Sequence, residues 1–111
     1  MKKLFTNYNF EFDKNEKKLL VTFSKQVLKQ LGGDDKYFAE TKAFNSILEK
    51  LSSSTDSIKL TKDERTRLLN QLTENVKFMK KEMGKSWILK KWLYKSMIKQ
   101  YDNILEKYFR G

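Results

Sequence analysis

Hydrophobic and polar residues alternate near the start of the chain, where residues 5–12 read FTNYNFEF. Tyr8, Phe10 and Phe12 fall on one side of an extended backbone, and the positions between them are Asn or Glu. This period-two pattern is typical of a half-buried strand. The other extended candidate is SIKL at 57–60. We therefore predict either a two-stranded pairing of 5–12 with 57–60 or an irregular N-terminal arm that packs its aromatic side chains on the helices.

Apolar residues recur at helical spacing in the rest of the chain. This spacing predicts four helices, at 14–31, 35–51, 62–83 and 86–109. Asp13 with Glu16 forms a capping box at the start of the first helix, and Thr61 with Glu64 forms one at the start of the third. Gly32 follows the first helix, where glycine adopts the left-handed conformation that ends many helices.

Each predicted helix has an apolar stripe that needs a partner. The stripe of the second helix includes Tyr37, and that of the fourth includes Leu93, Ile98 and Tyr101. Gly84 would allow residues 62–109 to form one kinked helix, but a single rod would leave two stripes uncovered, so two antiparallel helices are favoured. The predicted fold is mainly α: a small antiparallel bundle of about four helices with an N-terminal extended arm or short strand, forming one domain.

Composition excludes several classes of function. None of the 111 residues is Cys or His, which rules out disulfides, Ser-His-Asp triads and most zinc sites. No pair of carboxylates converges from the helical spacing, and Asp34 and Asp35 are interpreted as N-cap residues rather than a cation site. We therefore predict no catalytic, metal-binding or cofactor-binding residues, and a protein that is not an enzyme.

Positive charge is concentrated in the last third of the chain. The net charge is +10, and residues 76–111 carry ten Lys or Arg against three Asp or Glu. A basic segment of this kind predicts an acidic protein partner or another anionic surface, such as a membrane or nucleic acid. Of the 24 cationic residues 21 are Lys, and base readout depends on Arg, so nucleic-acid binding would be non-specific. Alternatively, the Lys content reflects an AT-rich genome.

The stretch GKSWILKKWLYKSMIKQ at 84–100 contains the candidate binding surface. On a helical wheel Ile88 and Trp92 lie away from the core face and within a row of lysines. The candidate residues are Lys85, Ile88, Lys91, Trp92, Lys95 and Lys99. In one interpretation they are exposed and dock a partner. In the other, the N-terminal arm lies over this end of the helix and covers Trp92 with Phe10 and Phe12.

These features predict a small binding or regulatory protein that docks an anionic or amphipathic partner through the Lys- and Trp-rich surface. In length, helical class and basic character, though not in any motif, the chain resembles class IIa bacteriocin immunity proteins. That resemblance implies a cytosolic bundle acting at the membrane surface or on a membrane-protein partner. Non-specific nucleic-acid binding and homodimerisation through Ile88 and Trp92 are further alternatives. No targeting segment is visible, so a cytoplasmic location is expected.

Overall fold

The computed structural model describes residues 8–53 and 55–109, which contain four α-helices and two short strands. In chain order these are β1 (Tyr8–Phe10), α1 (Lys14–Leu31), α2 (Phe38–Ser52), β2 (Ile58–Leu60), α3 (Lys62–Gly84) and α4 (Ile88–Ile104). The predicted mainly α class with four helices is confirmed. The chain divides into two compact units, Met1–Leu68 and Leu69–Gly111. The single-domain organisation stays a prediction.

In the first unit, β1 and β2 form an antiparallel two-stranded sheet. Tyr8 pairs with Leu60 and Phe10 pairs with Ile58. Phe10 is buried and stacks on the ring of Phe12, with the two centroids 5.2 Å apart. The predicted strand pairing is confirmed over these residues, so the irregular arm is not the structure adopted; positions 5–7 of the predicted strand lie outside the described residues.

The helix α1 has the two ends that the sequence predicted. The backbone N–H of Asp13 donates to Glu16 Oε1 at 2.8 Å, and the N–H of Glu16 donates to Asp13 Oδ1 at 2.7 Å. At the other end Gly32 has a φ of 64°, in the left-handed region. The helices α1 and α2 pack against each other. Their fully or nearly fully buried side chains include Leu20, Phe23, Val27, Phe44, Ile47 and Leu51.

The segment between α1 and α2 corrects one prediction. Residues Asp35–Tyr37 form a single 3₁₀ turn, and α2 begins only at Phe38. The tighter winding of the turn offsets Tyr37 from the buried face of α2. Tyr37 is therefore 42% exposed, and its assignment to the buried stripe is wrong; Phe38 is 67% exposed.

The second unit consists of α3 from Leu69 onward, a connection at 85–87, α4, and a π-helical turn, Leu105–Phe109, that follows α4 directly. The prediction of two helices rather than one kinked helix is confirmed. Leu69 and Thr73, at the start of α3 in this unit, line the same cavity as Leu105 and Phe109 of the π-helical turn. The two helices of the unit therefore run antiparallel. Its buried apolar residues include Leu72, Val76, Met79, Ile98, Tyr101, Ile104 and Phe109.

Candidate binding surface

The connection between α3 and α4 is held by hydrogen bonds to the last turn of α3. The N–H of Lys85 donates to the Glu82 carbonyl at 3.1 Å, and the Ser86 hydroxyl donates to the same carbonyl at 2.6 Å. Trp87 then takes an extended conformation, φ −64° and ψ 163°, and is the N-cap residue of α4. The side chain of Trp87 makes no capping hydrogen bond at this terminus. The connection is thus tied to the last turn of α3 by two hydrogen bonds to the Glu82 carbonyl.

Five large apolar side chains are exposed at the start of α4. Their exposed fractions are 88% for Trp87, 82% for Ile88, 82% for Leu89, 75% for Trp92 and 57% for Leu93. Isolated apolar residues on a surface are normal, whereas a contiguous group of this kind marks an interaction site in most soluble proteins. We refer to these five residues as the α4 apolar patch.

The patch and the buried face of α4 lie on different sides of the helix. At about 100° per residue, the helical members Ile88, Trp92, Leu89 and Leu93 span an arc of about 140°. The buried residues Ile98, Tyr101 and Ile104 centre about 150° away from the middle of that arc. The helix therefore buries one side in its second half, and the apolar residues exposed in its first half centre on the other side. Leu93, at the edge of the patch, lies only about 20° from the angle of the buried Ile104.

Lysines surround the α4 apolar patch. Lys85, Lys90, Lys91, Lys95 and Lys99 are all exposed. Lys91, Lys95 and Lys99 follow one another at one edge of the patch, at spacings of four residues. Only Lys85 has a described carboxylate contact, at 3.8 Å from Glu82. Because the sequence holds no Asp or Glu between Glu82 and Asp102, the field around the patch is positive.

The exposure of the predicted binding residues bears on the two interpretations of Trp92. All six residues predicted as the binding surface are exposed, and the large exposed fraction of Trp92 shows an open indole. Phe10 and Phe12 are buried and stacked on each other in the first unit. These two rings and Trp92 belong to different units, so the covering of Trp92 by Phe10 and Phe12 stays a prediction. Whether the six residues bind anything stays a prediction.

Three members of the patch were not predicted from the sequence. Trp87, Leu89 and Leu93 were not included, and Leu93 was assigned to the core face, which is wrong. Periodicity gives the angle of a residue on its helix but not the point along the axis at which packing begins. In α4 full burial begins at Ile98. The sequence did contain one indication of the wider patch, the apolar run from Trp87 to Leu89. Three consecutive residues on a helix point in different directions, so one buried face cannot cover all of them.

The arginines of the described chain are engaged elsewhere. Arg67 donates to Glu40 and to Asp63, the latter at 2.9 Å, and these bonds raise the pKa of its guanidinium. The guanidinium of Arg65 lies 5.0 Å from the ring centre of Tyr8, in a cation–π geometry. Both arginines belong to the first unit. The stretch from Lys85 to Lys99 itself contains no arginine.

Two cavities lie outside the patch. One in the first unit has a volume of about 440 Å³ and is lined by Phe38, Ala43, Ser46 and Glu64, among others. The other, of about 560 Å³, is the cavity of the second unit described above. Within residues 8–53 and 55–109 no group of three or more acidic side chains is placed to hold a metal ion. Neither cavity brings together side chains of a recognisable catalytic site.

None of the described helices contains an apolar run long enough to cross a lipid bilayer. No family model, curated protein or solved structure matches this chain. The α4 apolar patch and its lysines are therefore the features from which we infer a function.

Proposed function

We propose that this chain is a small non-enzymatic binding protein that docks an anionic, amphipathic partner through the α4 apolar patch and its surrounding lysines. The exposure of Trp92 and its four neighbours is the observation that carries the proposal. The absence of Cys and His from the sequence supports the non-enzymatic part, because it removes the most common nucleophile–base pairs. The cytoplasm is the proposed location, on the sequence argument alone.

The energetics of the patch favour a partner. Leaving a large apolar side chain in water rather than burying it forgoes about 1.5–3 kcal/mol for each side chain. A partner that covers Ile88, Leu89 and Trp92 would recover part of that free energy. The same second unit buries Ile98 and Ile104 on the other side of α4, so covering the patch requires no rearrangement of the core.

The lysines indicate the sign of the charge expected on the partner. Five lysines and no carboxylate lie along the stretch from Lys85 to Lys99. Exposed charges of one sign attract an oppositely charged surface and accelerate association, and salt weakens both effects. We therefore expect a partner that combines apolar and negatively charged groups.

Tryptophan fluorescence tests whether the surface is open in solution. Trp87→Phe leaves Trp92 as the only tryptophan, and Trp92→Phe leaves Trp87. We expect both variants to show red-shifted emission and efficient quenching by acrylamide, in a protein that ultracentrifugation shows to be monomeric. Blue-shifted, shielded emission from Trp92 in a monomer would overturn the proposal, because the patch would then be part of the core.

A further inference from the structure

We propose that the partner of the α4 apolar patch is the anionic surface of a lipid bilayer, into which the start of α4 inserts to a shallow depth. This inference rests on the proposed function and names the partner class for the same residues. It is carried by three observations: the position of the patch at a helix start, its two tryptophans, and the composition of its charged edge.

The shape of the patch suits a bilayer. Trp87 precedes the helix, and Ile88, Leu89, Trp92 and Leu93 project from its first two turns over a wide arc. A protein partner would have to supply a complementary pocket around this arc, whereas a fluid lipid surface adapts to its shape. An amphipathic helix segment with Trp and Leu on one side and Lys at its edge is typical of helices that lie at the membrane interface.

The side-chain types also match the two layers of a membrane surface. Tryptophan is enriched at the level of the lipid headgroups, because its ring is apolar and its N–H is polar. Ile88, Leu89 and Leu93 offer purely aliphatic surface, which suits acyl chains. Lysine stems can lie along apolar surface while the ammonium groups reach the headgroups. Anionic lipids attract such lysines from the surrounding solution.

Charge argues against a second copy of the chain, and side-chain type argues against nucleic acid. A second copy docking on the same face would bring two rows of lysines together without any carboxylate from the 85–99 stretch. Nucleic-acid bases could stack on the two tryptophan rings of the patch, but its three aliphatic side chains offer no ring for stacking. Arg65 and Arg67, which suit phosphate best, have partners in the first unit. Complementarity therefore favours an anionic lipid surface.

The test measures partitioning onto vesicles with Trp87→Phe, in which Trp92 is the only reporter. Vesicles of phosphatidylcholine mixed with phosphatidylglycerol are compared with pure phosphatidylcholine. We expect the emission of Trp92 to shift to the blue with the anionic vesicles only. We also expect quenching when part of the phosphatidylcholine carries brominated acyl chains, since bromine quenches only at short range.

Matched variants assign the effect to the proposed residues. The double variant Leu89→Ser with Trp92→Ser is made in the otherwise native chain, and its partitioning is measured by co-sedimentation with vesicles. We expect partitioning to fall more than tenfold. Phe38→Ser removes a similarly exposed aromatic from the first unit and should leave partitioning unchanged.

The triple variant Lys91→Gln, Lys95→Gln and Lys99→Gln should lower partitioning by about a hundredfold, at about fivefold for each lysine. The control Lys18→Gln, Lys25→Gln and Lys29→Gln carries the same net charge change on exposed positions of α1. Circular dichroism checks that every variant is folded.

Each outcome has one meaning. Partitioning that requires anionic lipid and is lost in the patch variants supports the inference. Equal losses in the two lysine triples would overturn it, because net charge alone would then explain binding. If Trp92 is open in solution but no vesicle binds, the lipid inference fails while the proposed docking function stands. Binding of single-stranded DNA or an acidic protein, or dimerisation through the patch, would then name the partner. If Trp92 is shielded in the free monomer, both proposals fail.

Discussion

Glu64 on α3 and Lys50 on α2 form an ion pair in which Lys50 Nζ lies 2.6 Å from Glu64 Oε1. The other carboxylate oxygen accepts a hydrogen bond from the hydroxyl of Ser46. The backbone N–H of Thr61 donates to the same oxygen as Lys50, at 2.9 Å, and completes the capping box. One carboxylate thus both starts α3 and fastens it to α2. Among residues 8–53 and 55–109, Glu64 is the only charged residue that is buried.

This arrangement predicts a dependence of stability on acid. Burial by itself would raise the pKa of Glu64, but hydrogen bonds from Lys50, Ser46 and Thr61 outweigh it and hold the pKa below its ordinary value of 4.5. The stabilisation by the carboxylate is therefore complete above the ordinary value and is lost as the pH falls through the lowered one. At neutral pH we expect Glu64→Gln to reduce the free energy of unfolding by about 1–3 kcal/mol.

Urea unfolding at neutral and at acidic pH measures this effect. The difference between wild type and Glu64→Gln should shrink as the pH falls from the ordinary pKa of the carboxyl through the lowered one. Glu74→Gln is the control, because Glu74 forms only an exposed ion pair with Lys77, at 3.4 Å, and should change stability by less than about 0.5 kcal/mol. A Glu64 variant as stable as wild type at neutral pH would contradict the structure.

Two serines should respond to the same substitution with opposite signs. Ser24 is fully buried on α1, and its hydroxyl has no hydrogen-bond partner among the described residues. Ser24→Ala removes an unsatisfied polar atom, so we expect a gain of about 1 kcal/mol in the free energy of unfolding. Ser46→Ala removes a donor to Glu64 and should cost about 1–3 kcal/mol. Thermal unfolding of both variants checks the pair of signs.

Two glycines offer a similar comparison. Gly32 has a positive φ, 64°, so Gly32→Ala should destabilise the first unit by about 1 kcal/mol. Gly84 ends α3 without a positive φ, and a Cβ there would meet no atom within 4 Å. Gly84→Ala should therefore stabilise by about 0.4–1 kcal/mol, because it restricts the unfolded chain. Chemical denaturation distinguishes the two, and equal effects would show that the left-handed turn is absent.

The two sides of α4 should differ in their contribution to stability. Ile104 is buried, so Ile104→Ala should cost about 2–5 kcal/mol. Trp92→Ala removes a larger side chain, yet its exposure predicts a change within about 0.5 kcal/mol. Urea unfolding followed by circular dichroism measures both variants. A large loss in Trp92→Ala would mean that the indole is packed in solution.

Much of the fold could be predicted because the signals are local. Asp13 with Glu16, and Thr61 with Glu64, are spaced to satisfy the first backbone groups of a helix, whatever packs around them. The strand pair was predictable because Tyr8 and Phe10 alternate with polar residues. The position of Tyr37 was not, since a 3₁₀ turn in place of the first turn of α2 leaves no clear mark in the sequence.

The candidate surface could be predicted only in part. The spacing of Ile88 and Trp92 placed them outside the core face, and charge counting found the lysines. Leu93 looked like a core residue because it shares a face with residues that are buried further along α4. Whether that face is covered at a given turn depends on how far a neighbouring element extends along it. The periodicity of the sequence carries no information about that. A sequence therefore predicts the sides of a helix better than the length over which each side is covered.

The pairing of Tyr8 with Leu60 also bears on the order in which the first unit folds. The pair closes a loop of roughly fifty residues, and such non-local contacts carry a large entropic cost before they contribute stability. The contact between α1 and α2 closes only the short connection between them. Its entropic cost of loop closure is therefore smaller. The two helices should thus associate first, and the strand contact, with Phe10 against Ile58, completes the unit as its slowest step.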